Sequence, residues 1–337
     1  MKIRAAVIGA GSWGTTVAHL LAHNVETTLW ARDPEIAREI DTKHTNSRYL
    51  PGFELHPDLR GTSDMAEAVS TSDMIVMGVP SHGFRETLQA VATHIRAWVP
   101  VISLAKGLEQ GTNARMTEVI NDVLPGHPYG VLTGPNLAKE ILAGDAAAAV
   151  LAMSDPTIAA RLQDLFSTRL FRVYTNDDVI GCELAGALKN VMAIASGMAD
   201  GLGTGDNTRA AVITRGLAEL SRLGMAMGGD PFTFAGLAGM GDLVATCVSP
   251  QSRNRHVGEQ LGKGRTIEEI IEDMQMVAEG VKTVAVVREL AAQHDVEMPI
   301  ADEVFRVVNE GQSASEAYRG LLGRQSRREM HGLDGHS

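Results

Sequence analysis

The chain has 337 residues, 44% of them hydrophobic and 21% charged, a length and composition that suit a globular protein of two ordinary domains. Its formal net charge of −11 would repel a phosphate backbone, so nucleic acid is not expected as a partner, and any anionic ligand needs a local group of basic residues. The two cysteines, Cys182 and Cys247, lie in apolar stretches and are too few for a disulfide framework or a zinc site.

The first predicted element is a short apolar strand at residues 3–8, followed directly by a glycine-rich turn and a helical pattern. The turn has the sequence Gly9-Ala-Gly-Ser-Trp-Gly14. Gly9 permits a tight turn, Gly11 lets the backbone approach a pyrophosphate, and Gly14 lets the helix pack closely on the strand. The phosphates would then lie at the positive end of the helix, so the motif predicts a dinucleotide site. Because the apolar strand begins at residue 3, no signal sequence is expected.

The second predicted strand, residues 27–31, is followed by Arg32. A site specific for NAD usually has Asp or Glu here to bind the ribose 2′-hydroxyl, whereas arginine accommodates the 2′-phosphate of NADP. Asp33 follows immediately, so NADP is favoured and NAD is not excluded. Residues 42–60, which include Tyr49, form a polar excursion that we expect over the adenosine end of the dinucleotide.

Strands and helices then alternate up to about residue 180. Further strands are predicted at 74–79, 100–104, 130–133, 146–151 and 170–174, and helices at 63–70, 84–98, 113–123 and 156–167. This alternation predicts a doubly wound parallel sheet, which binds ligands beyond the carboxyl ends of its strands. Lys106, Gly134 and Asn136 follow two of those ends and are candidate ligand contacts.

From Gly181 onward the pattern is helical only. Helices are predicted at 208–227, 253–262, 267–274, 279–294 and 300–309. We therefore expect a dinucleotide-binding domain at 1–180, an all-helical substrate domain at 181–324 and a flexible tail at 325–337. No uninterrupted apolar run reaches the roughly 20 residues that span a bilayer, so stable membrane insertion is not expected and a cytoplasmic location is predicted.

Lys189 is the only charged residue between Leu184 and Ala199, in a helix that is apolar on almost every face. Such a helix is expected to be buried on all sides. An ammonium group removed from water costs several kcal/mol unless it has a partner, and desolvation tends to lower its pKa towards values useful for proton transfer. Lys189 is therefore a candidate catalytic acid/base. The alternatives are that it extends to the surface or pairs with Glu183.

Two further groups are candidates for ligand binding. Asp242 follows a Gly-Met-Gly turn, where its carboxylate could cap the next helix, act beside Lys189, or do both. Residues 252–255, Ser-Arg-Asn-Arg, gather two guanidinium groups at a helix start, which suits an anion, although a solvated helix face is the alternative. His19 and His23 have a spacing that can hold a metal, but no carboxylate joins them and no metal site is expected.

Taken together, these stretches resemble the bacterial NAD(P)-dependent glycerol-3-phosphate dehydrogenase family over residues 3–322. The resemblance rests on seven motifs in the same order, which are Gly9-Ala-Gly-Ser-Trp-Gly-Thr15, Lys106-Gly-Leu-Glu109, Gly134-Pro-Asn-Leu-Ala-Lys-Glu140, Glu183-Leu-Ala-Gly-Ala-Leu-Lys-Asn190, Gly239-Met-Gly-Asp242, Ser252-Arg-Asn254 and Ala278-Glu-Gly280. It implies an N-terminal Rossmann domain and a helical C-terminal domain. It also implies reversible reduction of dihydroxyacetone phosphate to sn-glycerol 3-phosphate with NADP or NAD, in support of phospholipid synthesis.

The resemblance also implies roles for individual residues, with Lys189 as the catalytic acid/base. The positions at which the family holds substrate are Lys106, Gly134, Asn136, Lys189, Asp242, Ser252, Arg253 and Asn254. The positions at which it holds cofactor, together with the glycines of the turn, are Gly9, Gly11, Ser12, Trp13, Gly14, Arg32, Tyr49, Lys106, Ala138, Arg253, Val277 and Glu279. Asn136 stands where Ser or Thr is common in the family.

Two other functions remain open on the sequence. A β-hydroxyacid dehydrogenase shares the two-domain plan and a lysine on the interdomain helix. A dinucleotide-sensing regulator would bind NAD(P)H without turnover, although it would have no need of Lys189 as a proton donor. A small phosphorylated molecule is the expected partner in the favoured reading, and a homodimer is compatible with the sequence.

Overall fold

The structure is a computed structural model that describes residues 3–274 and 278–325. The chain divides into two compact units, Met1–Val179 and Ile180–Ser337. Val277 and all but the first residue of the predicted tail lie outside the described residues.

The first unit is built on an eight-stranded sheet with the order β3-β2-β1-β4-β5-β6-β7-β8. The strands are β1 (Arg4–Ile8), β2 (Glu26–Trp30), β3 (Arg60–Thr62), β4 (Met74–Met77), β5 (Val101–Ser103), β6 (Tyr129–Thr133), β7 (Ala147–Met153) and β8 (Phe171–Asn176). The predicted doubly wound sheet is confirmed, and one detail of it is wrong. β7 pairs antiparallel to β6, while the other neighbouring strands are parallel.

The reversal at β7 follows from the short helix that precedes it. The helices of this unit are α1 (Ser12–Ala22), α2 (Pro34–Lys43), α3 (Met65–Val69), α4 (Phe84–Ala92), α5 (Met116–Val123), α6 (Ala138–Leu142) and α7 (Pro156–Phe166). α6, between β6 and β7, has five residues, which rise only about 7.5 Å, so it does not return the chain along the seven-residue β7 for a parallel crossover. α4 ends six residues before its predicted end, ahead of Trp98, which has a left-handed φ of 66°.

Side chains of the sheet alternate between two cores, one on each face. Ala5 and Val7 of β1 enter one core, with Leu29 and Leu132, and Ala6 and Ile8 enter the other. Helices cover both faces, which explains why β1 and β4 are almost continuously apolar.

The described residues of the second unit form helices and no strand, as predicted. They are α8 (Val179–Gly201), α9 (Asp206–Ala226), α10 (Pro231–Ala235), α11 (Asp242–Val248), α12 (Arg253–Gly262), α13 (Ile267–Asp273), α14 (Glu279–Gln293), α15 (Pro299–Asn309) and α16 (Ala314–Leu322), with a π-helical turn at Leu237–Gly241. α8 has the length and hydropathy of a membrane span, but 89% of its most apolar window is buried inside the protein, as in a core helix.

α8 and α12 pack backbone against backbone because glycines face each other. A Cβ on Gly197 of α8 would lie 2.0 Å from the carbonyl oxygen of Arg255, and one on Gly258 of α12 would lie 2.0 Å from that of Ile194. Gly201 and Gly262 make a similar contact one turn further on. This close, parallel approach brings the beginning of α12 to the part of α8 that carries Lys189.

Candidate active site

Lys189 lies in the middle of α8 and is 4% exposed. Its Nζ donates hydrogen bonds to the Asp242 carboxylate and, at 2.8 Å, to Oγ1 of Thr246. The alternative in which this lysine extends to the surface is therefore wrong, and the structure gives it an acidic partner in Asp242. Breaking a buried ion pair on one side costs about 3–5 kcal/mol, so each charge depends on the other.

Asp242 is the first residue of α11, directly after the π-helical turn. The N-cap of α11 is Gly241 and no side chain caps it, so the alternative in which Asp242 caps this helix is wrong. The Thr246 hydroxyl, one turn later, donates to the backbone carbonyl of Asp242 at 2.6 Å. Its proton is thus directed away from Lys189, and its oxygen remains an acceptor for the ammonium group. This arrangement favours a protonated lysine held in one position.

Cys247 lies next to this group and is fully buried. Burial raises the pKa of its thiol to about 12. The cysteine is therefore neutral and adds no second charge beside Lys189.

The four residues predicted as an anion site at the start of α12 separate into different roles. The Ser252 side chain caps the helix by accepting from the Arg255 amide at 3.2 Å, and Arg255 pairs with Asp200 at 2.8 Å. The Asn254 amide donates to Oδ1 of Asn190 at 2.9 Å. Arg253 is exposed and, within the described parts of the chain, makes no hydrogen bond or ion pair. Of the two arginines, Arg253 is therefore the one available to an anion.

Asn254 also connects α8 to the beginning of α14. Its Oδ1 accepts from the backbone N–H of Gly280 at 2.9 Å, next to Glu279, the first residue of α14. A Cβ on Gly280 would lie 2.8 Å from the carbonyl oxygen of Asn190, so only glycine fits there. The side-chain amide of Asn254 in α12 thus links α8 and α14 at Asn190, the residue that follows Lys189.

In the first unit, the glycine turn has the geometry that a pyrophosphate requires. Gly9 has a φ of 115°, and a Cβ on Gly14 would lie 2.1 Å from the carbonyl oxygen of Gly9. A Cβ on Gly11 would meet nothing within 4 Å, so the space beside this residue is open. Gly11 is the N-cap of α1 and no side chain caps it, which leaves the first amide N–H groups of the helix as donors. The turn fits the dinucleotide that the sequence predicts.

Ser12 and Trp13, between the second and third glycines of the turn, have different contacts. The Ser12 hydroxyl donates to the backbone carbonyl of Tyr49 at 3.2 Å, which ties the polar excursion to α1. The Trp13 indole lies 6.3 Å from the Phe171 ring, inside the unit, and its Nε1 is buried without a partner.

Asn46, which the sequence analysis did not single out, holds the excursion on the glycine turn. This side chain is fully buried, and its Nδ2 donates to the Ala10 carbonyl and to Oγ1 of Thr15, both at 2.9 Å. Its Oδ1 accepts from the backbone N–H of Tyr49 at 3.4 Å. A lone Asn in a polar segment carries no periodic pattern, so nothing in the sequence distinguished it. The Asp242–Thr246 spacing of four, in contrast, was a visible indication of a shared helix face.

Lys106 and Gly134, from two adjacent strand ends, are brought together. Lys106 Nζ donates to the Gly134 carbonyl at 2.8 Å, and Gly134 has a φ of 127°. Nearby, Thr133 Oγ1 and both amide atoms of Asn136 are buried without a hydrogen-bond partner. Burying such groups unpaired costs about 1–3 kcal/mol each, and a polar ligand would supply the missing partners. Ala138 is the first residue of α6, immediately beyond them.

His19 and His23 contact each other, and His19 also accepts a hydrogen bond from the backbone of His56. Their Nε2 atoms lie 3.4 Å apart, and Nδ1 of His19 accepts from the backbone N–H of His56 at 3.0 Å. A neutral His19 then carries its proton on Nε2, the nitrogen that a metal would need. Burial, followed by the nearby His23 and His56, lowers the pKa of His19 to about 4. The described residues include no group of three or more potential metal ligands.

Comparison with known proteins assigns both units to one kind of enzyme. A family model described as NAD-dependent glycerol-3-phosphate dehydrogenase N-terminus matches residues 4–159, and the C-terminus model of the same name matches residues 178–319. The chain is 60% identical over 322 residues to glycerol-3-phosphate dehydrogenase (NAD(P)+) 2 of Sphingopyxis alaskensis, covering 96% of this chain and 97% of that protein. It is 57% identical to glycerol-3-phosphate dehydrogenase (NAD(P)+) of Mycobacterium avium, over 97% of this chain and 96% of that protein.

A solved structure of an enzyme with the same name has a similar fold. The crystal structure of glycerol-3-phosphate dehydrogenase from Coxiella burnetii superposes with a TM-score of 0.91 at 38% identity, covering 96% of this chain and 99% of that one.

Proposed function

The chain belongs to the NAD-dependent glycerol-3-phosphate dehydrogenase family, and from that premise we propose that it reversibly reduces dihydroxyacetone phosphate to sn-glycerol 3-phosphate with NADPH or NADH. The observation that supports the chemistry best is the buried group of Lys189, Asp242 and Thr246. Reduction of a ketone requires a proton donor at the carbonyl oxygen. A protonated lysine kept out of water beside a carboxylate can serve as that donor.

Lys189 acts as the acid/base. In the direction of reduction, its protonated form gives a proton to the ketone oxygen, and in the reverse direction it takes the proton of the alcohol. Asp242 stabilises the ammonium form, and Thr246 fixes the direction of the Nζ atom through an oxygen whose own proton is engaged elsewhere. When bound, the nicotinamide ring supplies or accepts the hydride.

The phosphate end of the substrate requires basic and neutral donors. Arg253, exposed and unpaired in the described parts of the chain, binds this phosphate, and its planar fork suits bidentate contact. Ser252 and Asn254 contribute mainly by holding α12 and Asn190 in place. Fixing the remote phosphate orients the ketone carbon, so binding is converted into rate.

Lys106, Gly134 and Asn136 complete the substrate contacts in this proposal. The buried and unpaired amide of Asn136 provides both a donor and an acceptor, which suits a hydroxyl group better than a phosphate oxygen.

The same proposal assigns the cofactor to the glycine turn and to the other positions at which the family holds it. The contacts are Gly9, Gly11, Ser12, Trp13, Gly14, Arg32, Tyr49, Lys106, Ala138, Arg253 and Glu279, while Val277 lies outside the described residues. The open space above Gly11 and the uncapped beginning of α1 support this assignment.

We further propose that the enzyme works in the cytoplasm as a homodimer and supplies the glycerophosphate backbone for phospholipid synthesis. The dimer is tested by light scattering on the full chain at several concentrations, and a mass that stays at one chain would reject it.

The activity is tested by following the absorbance of NADPH and of NADH with dihydroxyacetone phosphate as the ketone. We expect oxidation of at least one coenzyme, and oxidation of glycerol 3-phosphate in the reverse assay. A preference for 3-hydroxyisobutyrate or 6-phosphogluconate would instead indicate a β-hydroxyacid dehydrogenase. Tight coenzyme binding with no turnover of any ketone would indicate a sensor.

A further inference from the structure

The carboxyl end of β2 is where a Rossmann unit meets the ribose of the adenosine half of its dinucleotide. Two residues of opposite charge follow this strand, Arg32 and Asp33. Arg32 is exposed, and within the described residues its guanidinium makes no hydrogen bond or ion pair. The choice between NAD and NADP therefore depends on whether the Asp33 carboxylate is free to accept a hydrogen bond from the ribose 2′-hydroxyl.

The Asp33 carboxylate is already engaged by the protein. Its Oδ1 accepts the backbone N–H of Glu35 at 2.9 Å, which makes Asp33 the N-cap of α2, and Pro34 occupies the first position of that helix. Its Oδ2 lies 3.6 Å from a terminal guanidinium nitrogen of Arg48. A carboxylate that caps a helix and faces an arginine is a poor acceptor for a ribose 2′-hydroxyl.

Arg48 reaches this place because the polar excursion is anchored on both sides of it. Asn46 is hydrogen-bonded to the glycine turn, and the Tyr49 carbonyl accepts from Ser12. The Arg48 guanidinium also lies 5.5 Å from the centre of the Tyr49 ring, a cation–π distance. At 3.6 Å its contact with Asp33 is an ion pair without a hydrogen bond, so its N–H groups remain donors, and the side chain is 64% exposed.

We propose that Arg32 and Arg48 together bind the 2′-phosphate of NADP(H), one from the end of β2 and the other from the excursion, and that Asp33 does not select for NAD. Arg48 also offsets the charge of Asp33, which would otherwise repel the phosphate. Two guanidinium groups on one phosphate give charge-assisted hydrogen bonds, the strong class of such contacts. This inference rests on the proposed function and defines its coenzyme as NADP(H).

The direct test is binding of two adenosine fragments to the full chain by calorimetry. The probes are 2′,5′-ADP, which carries the 2′-phosphate, and 5′-AMP, which lacks it. We expect R48Q to weaken 2′,5′-ADP binding about 10-fold or more, the usual size for a hydrogen bond to a charged group, and to leave 5′-AMP binding unchanged. R32Q should act in the same direction, and R48K should lose less than R48Q because it keeps the charge.

The matched control is R60Q. Arg60 begins β3 in the same unit, is 73% exposed and lies 3.9 Å from Asp41, so it resembles Arg48 in exposure and in its weak ion pair. Neither fragment should bind differently to R60Q. Equal loss of both fragments in R48Q would show that Arg48 only shapes the excursion, and no loss of either would show that it does not contact the phosphate; each result overturns the proposal.

Turnover gives an independent measurement. The ratio of kcat/KM for NADPH to that for NADH should fall about 10-fold or more in R48Q through KM, with kcat unchanged. If the wild-type chain reduces dihydroxyacetone phosphate with neither coenzyme, the proposed function fails, while the fragment-binding result still decides the role of Arg48.

Discussion

The candidate sites of the two units consist of different chemical groups, backbone N–H groups in the first and side chains in the second. In the first unit, the glycine turn offers backbone N–H groups, an open space above Gly11 and a helix end without a side-chain cap. In the second unit, the site consists of side chains, with the buried charges of Lys189 and Asp242 held in contact. Backbone groups suit a ligand that keeps its charge throughout, whereas titrating side chains suit a step in which a proton moves.

This difference also determines how each site fails. A backbone site is lost when an added atom closes the space that the ligand needs, and the fold is strained as well only where that atom also meets the protein. A side-chain site loses its chemistry when one functional group is removed, while ligand binding elsewhere continues. Substitutions in each site can therefore test this difference between the backbone site of the first unit and the side-chain site of the second.

The largest expected effect is that of K189A on turnover. General acid–base catalysis contributes roughly 10²- to 10⁴-fold, so kcat for dihydroxyacetone phosphate should fall by that factor, while the Kd for NADPH, measured by fluorescence, changes less than about threefold. The change also leaves the buried Asp242 carboxylate unpaired, at a cost of about 3–5 kcal/mol in the free energy of unfolding.

K189M separates the chemistry from the packing, since it keeps the length of the side chain. The control is K263A, because Lys263, the C-cap residue of α12 in the same unit, is exposed and pairs with Glu259 at the surface. K263A should retain full activity. If K189A or K189M turns over at the wild-type rate, Lys189 is not the acid/base and the division between the two units is wrong.

The sequence was most informative where a local pattern determines the structure. Gly9, Gly11 and Gly14 have a spacing whose geometric consequences are known in advance, and the apolar surroundings of Lys189 predicted its burial. In both cases the information lies within about ten neighbouring residues, as it does in a helix or a tight turn.

The sequence was least informative where distant segments meet. The antiparallel β7 depends on the length of a connection rather than on any property of the strand, and the alternation of elements hid it. Asn46 binds Ala10 and Thr15 more than 30 positions away, a contact that no local pattern records. Asp242 was ambiguous for the same reason, since its partner lies 53 positions earlier in the chain.

The second prediction compares two glycines of one turn. In G14A the new methyl group would lie 2.1 Å from the carbonyl oxygen of Gly9, so both the melting temperature and the affinity for NADPH should fall, with a destabilisation of about 3 kcal/mol. In G11A the new methyl meets nothing within 4 Å, so the melting temperature should stay within a few degrees while NADPH binding weakens at least 10-fold. Thermal unfolding and a binding titration on both variants measure the contrast. Undiminished NADPH binding by G11A would place the pyrophosphate elsewhere.

The smallest effect concerns Glu219, a buried carboxyl group of the second unit. It is 3% exposed and accepts the backbone N–H groups of Ile300 and Ala301, at 2.8 and 3.3 Å, at the beginning of α15. Burial raises its pKa to about 7, although these two bonds and the nearby Arg222 favour the charged form.

Because the folded-state pKa of Glu219 is raised above its ordinary value of 4.5, the folded chain binds the proton more tightly than the unfolded chain. The resulting stabilisation is complete below pH 4.5 and is lost as pH rises through 7, by roughly 2 kcal/mol between pH 5 and pH 8. E219Q should remove this part of the pH dependence, and E268Q, which changes an exposed glutamate of α13, should leave it intact. The measurement is urea unfolding of the three proteins across that range. If E219Q keeps the wild-type slope, Glu219 is already ionised at pH 5, and the second unit then holds a buried charge on backbone donors, as the first unit is expected to hold its ligand.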